Sequence, residues 1–397
     1  MRKPSILYVI PCWPHGKSFG SQLRALHIGR ALKEIGNVKL VVADSVDCGM
    51  DGMKATSLEF DIECYGKVRH AERTPWIRRM TRAFQRRISY PDGMIVDEAL
   101  ESRVSQISNN FDLIWLSNLR MANSFSRWRW PHSLIDVDDL PSMYEKTLLK
   151  NGENFLERAS AGFRIMKYKR REKLLGERFT VTAVCSEADR KYLGLNGSIH
   201  VIPNGFARPT TEPLRKPATS PRLGFIGQFN YPPNHQGIHW FTKHCWPRIK
   251  QEVPNARLRL IGRDTDGPRR PTAPDVDALA WLEDPAAEIA SWSAMIVPVR
   301  TGAGTRVKIA DAFSRKCPVI STTLGAFGYN VANGRELCLA DSPAEFAEAC
   351  VRLMRHPEEG AAMANRAWQR FLDEWTWEAI TPRIWAAAED CLRQSRN

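Results

Sequence analysis

Uninterrupted apolar runs of strand length recur along the chain, and they constrain its fold more than any other feature. In the first half they cover 5–10, 38–43, 111–117, 133–139, 181–186 and 199–204. They lack the strict apolar–polar alternation of a strand with one solvent-facing side. Such runs are typical of strands covered on both faces, as in parallel sheets flanked by helices. Leu23, Leu26 and Leu32, at helical spacing between the first two runs, indicate one such helix.

The pattern stops at a proline-rich stretch and then starts again. Prolines at 209, 213, 217 and 221 exclude helix and inner strand between them. Beyond them, apolar runs alternate with helical stretches, one of them over 235–250, and the chain is helical from about Pro343 onward. We therefore predict an α/β protein of two Rossmann-like, doubly wound domains. The predicted parts are a first domain over 1–207, a linker over 208–221, a second domain over 222–375 and a C-terminal helix over 376–397.

Charge and cysteine content restrict the partners and the compartment. The net charge of +13 suits nucleic acid, an anionic membrane surface or anionic small substrates. No recognisable nucleic-acid-binding motif occurs, so we expect no nucleic acid partner. The nine cysteines are scattered without a C-x-x-C pair, which argues against a zinc site or disulfide framework and favours a reducing, cytoplasmic location. No run is long enough to span a membrane, and the first is a strand rather than a signal peptide.

The stretch RTGAGTRVKIADAFSRKCPVIST, at 300–322, has the composition of a phosphate-binding loop. It does not fit G-x-x-x-x-G-K-[ST], and Val307 stands where the dinucleotide fingerprint needs its third glycine. What remains is a strand, then Gly302 and Gly304, then a helix that we expect to begin near Thr305. Glycines let a ligand approach the backbone, and the first amides of a helix favour an anion.

Three charged side chains follow these glycines. The planar fork of Arg306 can hold two phosphate oxygens, and Lys308 adds a compact positive charge. Asp311 lies three residues after Lys308, near the same helix face, where a carboxylate would accept hydrogen bonds from a ribose diol. The alternative is a solvated helix face on which these residues form an ion pair at i,i+3.

The loop and its surroundings resemble the C-domain signature of GT-B glycosyltransferases of family 4, and most of all that of bacterial exopolysaccharide sugar transferases. Their loop reads G-x-G-T-R-x-K-x-x-E-A, and this chain reads GAGTRVKIADA at 302–312. The segments at 20–32, 201–206 and 224–241 also match, in the same order. The resemblance implies a GT-B fold, with two Rossmann-like domains facing a cleft and the C-terminal helix crossing back to the first domain.

For function, the resemblance implies transfer of a sugar from a nucleotide-diphosphate donor to a glycan or lipid-linked acceptor. Retention of configuration and the absence of a bound metal or other cofactor are implied with it. Fixed cations can stabilise the leaving diphosphate in place of a metal, and Arg306 and Lys308 are the candidates. Carried over position by position, the donor site in the second domain is Gly227, Gln228, Asn234, Gly302, Gly304, Thr305 and Asp311.

Three positions depart from the family pattern. Ala303 stands where the first acid of the Glu, seven residues, Glu motif is usual, and the second acid falls at Asp311. Gln228 stands where an arginine is common, and a lysine expected a few residues later falls near the uncharged Gln236. The basic pair of the G-T-R-x-K loop therefore carries most of the expected donor binding.

Four residues of the first domain are candidates for the cleft and the acceptor. Gly20 and Arg24 open the first helix and could touch donor phosphate or acceptor; the alternative is a tight turn and a surface arginine. Asp138 ends a strand and could act as a base or bind acceptor hydroxyls, or could cap its loop. His15 follows the first strand and could equally be catalytic or incidental.

The stretch 76–88 combines apolar residues at helical spacing with five arginines. A basic amphipathic helix of this kind can lie in an anionic membrane interface, so we expect a possible peripheral position on the inner membrane face, in surface polysaccharide or glycolipid assembly. The alternative is an ordinary domain helix with a solvated basic face.

Two other functions fit the same sequence. Another GT-B enzyme, such as a nucleotide-sugar epimerase, would isomerise a donor without any acceptor. A non-catalytic protein would bind a nucleotide sugar without turnover, and Ala303 favours it.

Overall fold

The computed structural model describes residues 2–14, 21–45, 49–70, 92–151, 155–194 and 197–395. The chain divides into two compact units. Unit 1 comprises Met1–Asn204 and Ile380–Asn397, and unit 2 comprises Gly205–Ala379. Each unit has a sheet of its own.

The sheet of unit 1 has eight described strands and is parallel except at one edge. These strands are β1 (Ser5–Ile10), β2 (Asn37–Asp44), β3 (Asp61–His70), β4 (Met94–Val96), β5 (Leu113–Ser117), β6 (Ser133–Val137), β7 (Val181–Val184) and β8 (Ile199–Val201). Their order is β4-β3-β2-β1-β5-β6-β7-β8, and β4 runs antiparallel to β3. The strand order reverses between β1 and β5, and ligands of such sheets bind at the carboxyl ends of the strands beside the reversal.

The middle of this sheet is buried on both faces. All residues from Ile6 to Ile10 are fully buried, and Ile6 pairs with Val38 on one side and Leu113 on the other. The prediction of doubly covered parallel strands from the uninterrupted apolar runs is thereby confirmed. The described helices that cover the sheet are α1 (Ser21–Ile35), α2 (Gly49–Ser57), α3 (Glu98–Ile107), α4 (Leu119–Ala122), α5 (Pro141–Asn151), α6 (Phe155–Glu172), α7 (Leu175–Arg178) and α8 (Glu187–Leu193).

Unit 2 repeats the plan with six parallel strands. They are β9 (Arg222–Ile226), β10 (Arg257–Ile261), β11 (Val276–Ala278), β12 (Ala294–Val297), β13 (Val319–Ser321) and β14 (Cys338–Leu339), in the order β11-β10-β9-β12-β13-β14. The order reverses between β9 and β12. The helices are α9 (Pro232–His244), α10 (Trp246–Glu252), α11 (Ala286–Ala290), α12 (Val307–Ser314), α13 (Pro343–Arg355) and α14 (Pro357–Glu374). The last helix, α15 (Trp377–Gln394), begins at the end of unit 2 and belongs to unit 1 from Ile380 onward.

The last part of α15 packs within unit 1. The indole N–H of Trp385 donates to the carbonyl of Ala31 in α1 at 3.0 Å. Asp390 lies beside β8, with its Oδ2 atom 3.0 Å from Nε2 of His200. These contacts join the C-terminal helix to the first helix and to an edge strand of the unit 1 sheet.

Two helix predictions were wrong in detail. The helix expected over 235–250 is divided at Cys245 into α9 and α10, because Pro247, in the first turn of α10, has no N–H to continue the hydrogen-bond ladder. The helix expected near Thr305 begins at Val307. Gly302 and Gly304, with φ of 120° and 73°, keep the preceding loop out of the helical conformation.

No helix within the described part of the chain is long and apolar enough to cross a membrane.

Trp292 occupies the space beside Gly224 in the centre of β9. A Cβ atom on Gly224 would lie 2.0 Å from Cδ2 of Trp292. The tryptophan is fully buried, and its indole N–H donates to Oε1 of Glu288 at 2.9 Å. The indole therefore has no room to move aside.

We predict that Gly224→Ala lowers the free energy of unfolding of unit 2 by about 1–3 kcal/mol, the usual cost of overpacking a core. Chemical denaturation followed by circular dichroism measures the change. Gly176→Ala is the control, since no atom lies within 4 Å of its added Cβ. Equal denaturation midpoints for both variants would contradict the prediction.

Candidate functional site

The loop after β12 folds the Arg306 side chain back against its own glycines. A Cβ on Gly302 would lie 2.6 Å from Nη2 of Arg306, so only glycine leaves room for the guanidinium. Nη1 of Arg306 donates to the carbonyl of Ala303. The backbone carbonyl of Arg306 accepts a hydrogen bond from the Tyr329 hydroxyl at 2.9 Å. Arg306 is 8% exposed, so both its side chain and its backbone are held in place by neighbours.

The guanidinium of Arg306 has bonding capacity left over. Its Nε and Nη2 atoms are buried and have no hydrogen-bond partner among the described residues. Within the same residues it forms no ion pair with a carboxylate. Leaving buried charged donors unsatisfied is costly, so the arrangement favours an anionic ligand that supplies the missing acceptors.

Lys308, at the first turn of α12, joins the loop to the end of β9. Its ammonium donates to Oδ1 of Asn234 at 2.7 Å and lies 4.0 Å from the centroid of the Phe225 ring. Nδ2 of Asn234 donates in turn to the carbonyl of Gln228 at 2.8 Å. A Cβ on Gly227 would lie 2.7 Å from Asn234 and 3.1 Å from the Lys308 ammonium. The predicted catalytic Lys308 thus lies together with three of the predicted donor-site residues, Gly227, Gln228 and Asn234.

The pKa of Lys308 lies well below its usual range. Burial is the main cause, and the nearby positive charge of Arg306 adds to it. The side chain forms no ion pair with an acidic residue of the described chain. Two adjacent cations without a counter-charge make this region, at the carboxyl ends of β9 and β12, strongly attractive to an anion.

The alternative, a solvated helix face with an ion pair at i,i+3, is wrong, because Lys308 does not pair with Asp311. Asp311 accepts from Nε of Arg315, one turn further along, at 3.0 Å. Lys308 points instead toward Asn234 and the Phe225 ring.

Two further positions complete this part of the loop. The Thr301 hydroxyl donates to Oε1 of Gln236 at 3.1 Å, so the glutamine that replaces an expected lysine holds the loop. Thr305 is half-buried beside Arg306. The sequence did not single out Phe225 or Tyr329. The only signal for Phe225 is its place two positions before the predicted donor residue Gly227, and that for Tyr329 is its place after the stretch 300–322.

Arg24 needs a correction, because it is neither a surface arginine nor available to a ligand. It is 2% exposed, and it binds Asp136 through Nε at 2.9 Å and Nη2 at 2.6 Å. Its remaining N–H groups donate to the carbonyls of Ile202 and Pro203 and to Oδ1 of Asn204. Burial alone would lower the pKa of Arg24, but the Asp136 carboxylate outweighs it and raises that pKa well above its usual range. Arg24 therefore joins α1, β6 and the segment after β8.

Asp138 lies just beyond this buried pair and remains partly accessible. Its Oδ1 atom accepts from the Cys185 thiol at 3.2 Å and from Nδ2 of Asn204 at 3.3 Å. Burial raises the pKa of Cys185, which keeps the thiol protonated as a donor. The other carboxylate oxygen has no hydrogen-bond partner in the described chain and is the free acidic atom at the carboxyl end of β6.

Asp189, which the sequence did not single out, is a second acidic group of this region. It lies in the first turn of α8, is 3% exposed, and accepts from the Ser186 hydroxyl at 2.5 Å. Its Oδ1 atom is buried without a partner among the described residues. Burial raises the pKa of Asp189 to about 6, with the Ser186 hydrogen bonds opposing and the charge of Asp138 adding to the shift.

Unit 1 also contains a cavity of about 980 Å³ beside the carboxyl ends of β1 and β2. The rings of Trp13 and Tyr65 lie there with centroids 5.5 Å apart, and Tyr65 is exposed. Lys67 pairs with Asp44 at 2.9 Å across the same cavity. An exposed aromatic ring beside charged groups can bind a polar ring such as a sugar. No local pattern in the sequence signals this cavity, because its walls come from segments that are distant along the chain.

Some predicted residues lie outside the described part of the chain. They are His15, Gly20 and the basic stretch 76–88. Among the described residues, no group of three or more His, Cys, Asp or Glu side chains is arranged to hold a metal ion.

The raised pKa of Asp189 generates a prediction about stability. The carboxyl group titrates near pH 4 when unfolded and near pH 6 when folded, so the folded state binds more protons between these values. Ionised Asp189 therefore costs stability above about pH 6, and the cost disappears as the pH falls toward 4. Asp189→Asn should raise the free energy of unfolding at pH 8 by about 1–3 kcal/mol and change it little at pH 4.

Urea denaturation at several pH values measures this difference. Glu187→Gln, which removes an exposed acid from the same helix turn, is the control. A difference between Asp189→Asn and the parent protein that does not change with pH would overturn the prediction.

Part of unit 2 matches a known protein family. Residues 220–356 match the family described as glycosyl transferases group 1. A 44.6 kDa protein of Klebsiella pneumoniae, named for its place in the cps region, is 21% identical over 240 residues. This similarity covers 57% of the present chain and 60% of the Klebsiella protein, which is less than two thirds of that relative's length.

Solved structures resemble the chain over nearly its whole length. The Anabaena protein HepE, solved with UDP and glucose, has a TM-score of 0.63 at 15% identity, with 97% of this chain and 99% of HepE covered. Sucrose-phosphate synthase of Thermosynechococcus elongatus has the same TM-score and identity, with 96% and 98% covered. The predicted fold class is confirmed. The chain has the GT-B fold, and its residues 220–356 match the family described as glycosyl transferases group 1.

Proposed function

We propose that this protein transfers a sugar from a nucleotide-diphosphate sugar to a glycan or lipid-linked acceptor, with retention of configuration and without a bound metal. One observation carries the proposal. Arg306 has two buried N–H groups without acceptors, and beside it Lys308 has no acidic partner among the described residues. In a chain with a group 1 glycosyltransferase unit, the diphosphate of the donor is the anion that fits this pair.

The chemistry follows from the charge that develops during transfer. As the bond between the sugar and the diphosphate breaks, negative charge grows on the leaving phosphate oxygens. The bare edge of the Arg306 guanidinium and the Lys308 ammonium stabilise that charge, and preorganised groups do so without reorganisation at the moment of reaction. These two side chains therefore take the catalytic role, and no metal is required.

The rest of the donor site would be formed by the same unit. Gly302, Gly304 and Thr305 line the loop, and the first amides of α12 face a phosphate. Asp311 would bind the ribose through the carboxylate oxygen that Arg315 does not occupy. The turn after β9 contributes Gly227, Gln228 and Asn234.

For the acceptor we propose unit 1. Asp138 has an unoccupied carboxylate oxygen that can accept from a sugar hydroxyl, and Tyr65 offers an exposed ring in the cavity. His15 and Gly20 remain candidates from the sequence alone.

The cellular role we propose is surface polysaccharide or glycolipid assembly at the inner membrane face. The name of the Klebsiella relative, which refers to a cps region, and the UDP and glucose bound to HepE support it. The basic stretch 76–88 would contribute a peripheral membrane contact, with an anionic lipid surface as the partner.

We predict that Arg306→Ala and Lys308→Ala each weaken binding of a nucleoside diphosphate at least about tenfold and lower donor turnover by about 10²–10³-fold. Their melting temperatures should stay equal to or above that of the parent, because each change removes an uncompensated charge. Calorimetric titration with UDP, GDP, ADP and dTDP tests binding. Lys243→Ala, an exposed lysine of the same unit, is the control.

Three outcomes would change the conclusion. If none of the nucleoside diphosphates binds, the donor site is wrong. Binding without transfer or donor hydrolysis would identify a non-catalytic binding protein. Isomerised sugar in the absence of an acceptor would identify an epimerase.

The lowered pKa of Lys308 predicts pH-dependent binding. Without ligand, this lysine loses its proton at a pH below the usual value near 10.4, whereas a bound diphosphate favours the charged form. Affinity for the nucleoside diphosphate should therefore fall as the pH rises through the lowered pKa of Lys308. In Lys308→Arg the affinity should not fall in this way, because a guanidinium keeps its proton. Identical pH profiles for the two proteins would refute the role of Lys308.

A further inference from the structure

Helices α5 and α6 of unit 1 pack against each other, and we call this pair the α5–α6 hairpin. Arg164 of α6 pairs with Glu145 of α5 at 2.8 Å. Nε of Arg158 donates to the carbonyl of Leu149 at 3.1 Å, near the end of the hairpin. These contacts fix the two helices to each other and hold the outer side chains in one arrangement.

The outer face of this hairpin exposes an unusual amount of apolar surface. Phe155 is 82% exposed, Leu156 78%, and Leu149 and Met166 42% each. Leu149 of α5 lies next to Gly162 of α6, since a Cβ on Gly162 would lie 3.9 Å from Cδ1 of Leu149. Single exposed apolar side chains are ordinary, but four on two packed helices mark an interaction surface. We call these four residues the apolar strip.

Basic residues surround the apolar strip. Nine basic and four acidic residues fall between 141 and 173. On α6, positions 155, 159, 162, 166 and 169 share one helix face, so the stripe runs from Phe155 through Met166 to Lys169 over about 21 Å. Lys146 of α5 lies on the same side as Lys169, since both ammonium groups lie within 6 Å of the Tyr192 ring centroid. The exposed basic residues are Lys146, Lys150, Arg158, Lys169, Arg170 and Lys173.

We infer that the α5–α6 hairpin lies on an anionic lipid bilayer, with the apolar strip in the headgroup–acyl boundary and the basic residues on lipid phosphates. Apolar side chains beside lysines and arginines along one helix face suit that environment. A second copy of this chain is a poor occupant, because it would bring an equally basic surface against this one. This surface is made of residues other than those of the stretch 76–88, and its test needs no donor.

Vesicle co-sedimentation tests the inference, with the full chain and no donor or acceptor present. The vesicles are pure phosphatidylcholine or phosphatidylcholine with about 30 mol% phosphatidylglycerol. We expect binding to the anionic vesicles at low salt and at least about tenfold weaker binding for the double variant Phe155→Ser, Leu156→Ser. Leu58→Ser is the matched control, because it removes another leucine of unit 1 that is 90% exposed. It should bind like the parent.

The charged part is tested by a second double variant, Lys150→Glu with Arg170→Glu. Both side chains are exposed, so folding should be unaffected, as circular dichroism will verify. We expect at least about tenfold weaker binding to anionic vesicles, with the parent losing affinity as salt rises. Normal nucleoside diphosphate binding by these variants would separate a failure of this inference from a failure of the proposed function.

Two results would overturn the inference. One is binding to anionic vesicles that neither double variant weakens relative to Leu58→Ser. The other is a parent protein that binds no vesicles but dimerises in sedimentation velocity, with the dimer lost in Phe155→Ser, Leu156→Ser; the apolar strip would then be an interface between copies of this chain.

Discussion

Two positive charges held side by side without a counter-charge are the constraint on which the candidate site of unit 2 depends. The Lys308 ammonium is held by Asn234 and the Phe225 ring, and the Arg306 guanidinium is held against Gly302. Tyr329 fixes the backbone of the arginine from the far side. Each of these contacts positions a cation, and none of them neutralises its charge. An anionic ligand that binds here therefore gains the electrostatic stabilisation that no carboxylate of the protein provides.

The buried arginine of unit 1 shows the opposite arrangement. All the N–H groups of Arg24 have acceptors, and its charge is matched by Asp136. Breaking such a buried pair would leave an uncompensated charge, which makes Arg24 a structural residue. Both arginines lie near the start of a helix that follows a buried strand, and their partners separate a binding role from a structural one.

Ala303 acquires a physical meaning in this setting. Its carbonyl accepts from Nη1 of Arg306, and the residue is buried. An acid at this position would stand next to Arg306 and could neutralise it. The alanine leaves the guanidinium free for a ligand, in agreement with the view that the G-T-R-x-K loop carries donor binding in place of the missing acid.

The sequence by itself determined the two parallel sheets, since uninterrupted apolar runs of strand length that alternate with helical stretches are typical of strands covered on both faces. It also determined the glycine loop with Arg306 and Lys308, because their type and spacing are local properties. Only the tertiary structure decided that Lys308 binds Asn234 rather than Asp311, that Arg24 forms a buried ion pair with Asp136, and that Asp189 is a buried acid. The physical reason is that partners and burial are set by residues distant along the chain, and these decide whether a charge is satisfied or available.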